Sequence, residues 1–80
     1  MIRIVINEEG RRKLKKKYNS LLVRYNKAVS YMNDNNVPIK DKEKHLPSYV
    51  QILKDMNLII WVLELVGEEV EASILEGFTV

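Results

Sequence analysis

Lys13, Lys17, Arg24 and Lys27 recur at spacings of four, seven and three residues, with Ser20 between them and Tyr31 completing the row. At 100° per residue such positions share one face of an α-helix. Four cations in line extend over roughly 21 Å at 1.5 Å per residue. A row of that length suits a string of phosphates. Its binding would be insensitive to sequence and steeply sensitive to salt. Tyr31 stands where a ring could stack on a base or nucleotide. The alternatives for the same ridge are a solvated helix edge, or a rail of ion pairs to Glu64, Glu68 or Glu71 of a neighbouring helix. Arg11, Arg12, Lys13, Lys15, Lys16 and Lys17 together wrap most of the way round a helix, so that cluster by itself defines no site.

Groups able to move protons are few. Glu64 lies in an apolar surround and His45 is the single histidine; they are the only plausible acid–base groups, and an ion pair of Glu64 with Arg24 or Lys27 is the ordinary alternative. Glu68 and Glu69 are adjacent on a helix and diverge. There is no glycine-rich phosphate loop, no nucleophile elbow and, with no cysteine, no Cys–His pair. One histidine and no cysteine also argue against a structural zinc or any other metal site. No cofactor is implied, and the expectation is a protein that is not an enzyme.

The elements that would carry these residues follow from periodicity. Leu14, Tyr18, Leu21, Tyr25, Ala28 and Met32 form an apolar seam beside the basic ridge, which predicts a helix over residues 8–33. Asn7 is a candidate N-cap, with Glu8 and Glu9 favourably placed in the first turn. Gly10 weakens that turn. The Asn33-Asp34-Asn35-Asn36-Val37-Pro38 run should end the helix, with asparagine taking a left-handed cap. Residues 34–47 are expected to be a loop. Ser48-Tyr49-Val50-Gln51 matches a capping box and starts a second helix over 48–66. Its main face carries Tyr49, Ile52, Leu53, Met56, Ile59, Ile60, Leu63 and Val66. Ile2, Ile4 and Ile6 alternate as in a short strand over 1–6, and residues 68–76 are expected to form a short helix, with a terminal helix or strand closing the chain.

The second helix is apolar on both sides. Leu58, Trp61, Val62 and Leu65 oppose its main face, and one partner helix with a single stripe cannot cover both. Either the termini fold over that second face or another subunit does. A strand over 58–66 is the other reading of this run, but the capping box and the length of the pattern favour a helix.

Eighty residues allow one domain, 1–80. A chain this short has a marginal core, and without disulfides or metal, oligomerisation is the remaining compensation. The net charge of +2 conceals an asymmetry. Residues up to His45 sum to +7 and the rest to −5, so either the halves attract each other or the basic half meets an anionic partner. No signal peptide or membrane span is expected, which points to a soluble, cytoplasmic protein.

The reading is therefore a mainly α fold: an antiparallel helical hairpin with a short N-terminal strand, forming a homo-oligomer through Leu58, Trp61, Val62 and Leu65. Its expected role is that of a small non-enzymatic binding protein that occupies a surface of another macromolecule, as accessory or inhibitory proteins of mobile elements or phages do. The alternatives are an anion-binding module for nucleic acid or a small nucleotide on Lys13, Lys17, Arg24, Lys27 and Tyr31, and an enzyme with an inter-subunit site.

Overall fold

A computed structural model describes residues 6–80. Two long helices, α1 (Glu8–Met32) and α2 (Ile39–Leu65), pack as a hairpin, and a short α3 (Ser73–Glu76) lies in the returning C-terminal segment. The molecule is mainly helical, and no strand occurs among the described residues. The strand expected over residues 1–6 lies outside them, apart from Ile6.

Helix α1 starts where its sequence says it should. The Asn7 side chain accepts from Gly10 N–H at 2.7 Å, and Glu8 and Glu9 occupy the first turn. Gly10 has a packing role besides: a Cβ there would come within 2.5 Å of Ile6 Cγ2. At the other end Asn33 caps the helix in the right-handed region, φ −93°, so the left-handed cap expected there is not used. The chain turns instead through an Asx turn, in which Asn36 N–H donates to the Asp34 carboxylate at 2.9 Å.

The largest correction concerns residues 34–47. Only 33–38 form the connection; Pro38 is the N-cap of α2, and the helix runs on through Pro47. Pro47 deprives the Glu43 carbonyl of its helical donor, and such a gap is tolerated when the flanking turns are held. Ile39 to Leu46 are ordinary helix formers with Asp41 in the first turn, so eight residues precede the proline in helical conformation. Ser48 to Gln51 consequently sit in mid-helix. Gln51 does not reach back to a cap; its amide donates to Asp55 at 2.8 Å, one turn ahead. The helix ends at Gly67, φ +87°, where Glu68 N–H bonds the Leu63 carbonyl and Gly67 N–H the Glu64 carbonyl, both at 3.0 Å. This is a Schellman closure, and glycine supplies its left-handed residue without steric cost. The helix expected over residues 68–76 is reduced to the single turn of α3.

The core joins Tyr18, Leu21 and Leu22 of α1 to Ile52, Met56, Ile59 and Leu63 of α2, closed by Val70 and Phe78. Leu14, Tyr25 and Ile60 pack against it half-buried. The seam therefore holds at Tyr18 and Leu21, and Leu22 joins it because a third layer covers that flank. Of the main face expected for the second helix, Ile52, Met56, Ile59 and Leu63 are buried, while Tyr49, Leu53, Ile60 and Val66 are half-buried.

Candidate functional site

The C-terminal segment settles where much of the charge goes. Asn19, on the flank of α1, grips the backbone of Phe78 from both sides. Its amide N–H donates to the Phe78 carbonyl at 2.8 Å, and its carbonyl accepts from Phe78 N–H at 2.7 Å. Gly77, φ +88°, permits this approach, since a Cβ there would lie 2.9 Å from Asn19 Oδ1. The Tyr18 hydroxyl donates to the Ile74 carbonyl at 2.6 Å, and its ring meets Phe78 edge-on at 5.3 Å. Tyr18 thus points into the returning chain and not to a solvent rim. Burial raises the Tyr18 pKa, with a smaller contribution from the neighbouring Tyr25.

Beside this clamp, Glu68 receives Lys15 at 3.2 Å and Arg11 at 3.5 Å, and Arg11 also donates to the Val66 carbonyl at 3.2 Å. Part of the basic half therefore meets the acidic half within one chain. The acid involved is Glu68, not Glu64. Glu64 is exposed and makes no ion pair with Arg24 or Lys27 among the described residues. Glu64 and His45 stand on one helix, nineteen residues and roughly 28 Å apart along it, so they form no acid–base pair within a chain.

Lys13, Lys17, Arg24 and Lys27 all lie exposed on the flank of α1 turned away from the Asn19 clamp. Lys13 has a long solvent-exposed contact to Glu9 at 3.7 Å, worth little. Lys17, Arg24 and Lys27 have no acidic partner among the described residues. The ridge ends in a cleft. Tyr31 is half-buried, and its ring meets that of His45 edge-on at 5.2 Å, which brings the histidine out of its expected loop and onto α2. Tyr49 stacks on Tyr25 at 5.8 Å, and the neighbouring Tyr25 hydroxyl, then burial, raises its pKa. A loop expected over residues 34–47 hides the Tyr31–His45 pair, whereas Tyr25 and Tyr49 both lie on faces that periodicity turns toward the partner helix. For Asn19 one signal existed: a poor helix former next to the seam in mid-helix.

The second face of α2 is not covered by the C-terminal segment. Trp61 is 57% exposed, Leu58 56% and Leu46 48%, while Val62 and Leu65 are half-buried. Trp61, Leu58 and Leu65 lie on the side of α2 opposite Ile52, Met56, Ile59 and Leu63, with Val62 and Leu46 on its flanks. No cluster of His, Asp and Glu able to hold a metal occurs among the described residues, and no helix there is long and apolar enough to cross a membrane. Comparison with protein-family models, curated proteins and solved structures gives no match.

Proposed function

We propose that the chain is a small non-enzymatic binding protein that self-associates through the outer face of α2 and acts by occupying a surface of another macromolecule. The exposure of Trp61 carries this reading. A tryptophan more than half open, with Leu58 equally open on the same face, is an interface anchor without its cover. The rest of the fold does not need that face. Analytical ultracentrifugation over a range of concentrations tests the idea. The wild type should sediment as a dimer or higher oligomer, and W61K as a monomer with an unchanged helical circular-dichroism spectrum. Trp61 is the only tryptophan, so its emission should move to shorter wavelength as the oligomer forms. Equal masses for W61K and wild type would sink the proposal.

A second reading rests on the unpaired cations Lys17, Arg24 and Lys27: an anion-binding module that holds nucleic acid along the ridge. Binding to a polyanion should then fall steeply between low and moderate salt, and K17Q/R24Q/K27Q should flatten the slope. A salt response that is flat from the outset removes this reading.

A further inference from the structure

At the connection end of the hairpin, where no C-terminal segment covers the helices, α1 and α2 part to leave an open cleft of about 340 Å³. Lys27, Tyr31 and Met32 of α1 and His45, Ser48 and Tyr49 of α2 line it, over a floor of Ala28 and the buried Ile52. That volume lies at the lower end of the range of small-molecule sites, about 300–1,000 Å³. We propose that this cleft binds a small planar aromatic anion, an aryl or heteroaryl ring bearing one carboxylate, sulfonate or phosphate.

Three features converge on that class. The walls are flat and already fixed. The Tyr31 ring is set against His45, and the Tyr49 ring is braced from behind by Tyr25. Ring faces held this way accept a flat guest with little loss of side-chain freedom, in offset or edge-on contact. The floor is apolar, and Ala28 is its smallest member, so the space exists because α1 carries a methyl group where the seam elsewhere carries leucine, tyrosine or methionine. Met32 adds a soft thioether suited to a ring edge.

The rim is rich in donors and holds no acid. Lys27 supplies an ammonium without an acidic partner among the described residues, and the His45 ring and the Ser48 hydroxyl add further N–H and O–H groups. An anionic substituent is the complement of that rim, and its bond to Lys27 is charge-assisted. Size separates this site from the ridge. A polyanion lies along α1 and leaves the cleft empty, whereas a ring enters between the helices. The site also stands apart from the outer face of α2, because His45, Ser48, Tyr49 and Ile52 are on the core side of that helix and Trp61 on the other. A chain associated through Trp61 keeps the cleft open.

Two singular residues make the test direct, for the protein has one histidine and one tryptophan. Naphthalene sulfonate is titrated into the full chain while the His45 ring and Trp61 indole N–H resonances are followed by NMR. The expected result is a saturable shift at His45 with Trp61 unmoved. Affinity should drop about tenfold for K27Q, the cost of one charge-assisted bond, and similarly when neutral naphthol replaces the sulfonate. Lys27 is exposed, so K27Q keeps the fold; A28F, checked by circular dichroism, should abolish the shift by filling the floor. Inorganic phosphate alone should leave His45 unmoved. No response at His45, equal binding of naphthol and sulfonate, indifference to K27Q, or a response confined to Trp61 would each overturn the assignment.

Discussion

Replacing Asn19 by alanine isolates the clamp on the C-terminal segment. Two part-buried hydrogen bonds of 2.7 and 2.8 Å disappear, each worth about 1 kcal/mol net. The Phe78 N–H and carbonyl are then left facing α1, which adds about 1 kcal/mol if water reaches them only in part. Alanine returns about 0.5 kcal/mol through its helix propensity. The alternative, release of the whole segment, would expose Phe78 and Val70 at about 1.5–3 kcal/mol each. Loss of the bonds with the segment still docked is therefore the cheaper response, and the net loss is about 2.5 kcal/mol. In a domain of this size that lowers Tm by about 10–20 °C. N26A is the matched control: Asn26 is exposed on the same helix, so the change should be neutral or slightly stabilising. Thermal melts followed by circular dichroism, with amide exchange at Phe78, measure both. A Tm for N19A within about 2 °C of N26A, or an unaltered exchange rate at Phe78, would refute the reasoning.

Two other perturbations probe separate parts of the hairpin. Tyr18 has a raised pKa, above 10.0, so its protonated form is favoured by folding; that stabilisation is present below pH 10 and lost as pH rises through the folded value. Y18F should cost about 1 kcal/mol at neutral pH by losing the bond to the Ile74 carbonyl, and the gap to wild type should narrow in alkaline urea titrations; parallel alkaline profiles would count against the buried hydroxyl. P47A should stabilise α2 by about 2 kcal/mol, the helix-interior cost of proline less the entropy it removes from the unfolded chain, and a lowered Tm would show that Pro47 packs in a way its exposure conceals.

The sequence makes α1 readable almost residue by residue, because its cap, its seam and its ridge are all local patterns. Asn7, Tyr18 and Leu21 are where periodicity puts them. Helix α2 is only half readable. Pro47 followed by a serine three residues ahead of a glutamine imitates a helix start, and nothing local distinguishes that from a proline tolerated inside a helix. That imitation places His45 in a solvated loop and Ser48 at a helix start, and so hides the cleft between the helices. The apolar face of Leu58 and Trp61 is visible as surplus in the pattern; its exposure in the folded chain is a tertiary fact, decided by where the C-terminal segment lies. That placement depends on Asn19 meeting backbone groups of Phe78, and backbone groups leave no trace in residue type. For the same reason periodicity could suggest ion pairs between the halves but not choose Glu68 over Glu64.

The clamp also divides the folding reaction in time. The ring pairs Tyr31–His45 and Tyr25–Tyr49 join residues near the connection, whereas the bonds from Tyr18 and Asn19 span 56 and 59 residues. Closing the longer loop costs about 1 kcal/mol more chain entropy than closing the shorter ones, and its closure follows once the hairpin has formed. Contacts made after the transition state govern the rate of escape from the native state, not the rate of arrival. Asn19, Gly77 and Phe78 are thus expected to set how long the folded molecule lasts, and the turn at the other end the speed with which it forms.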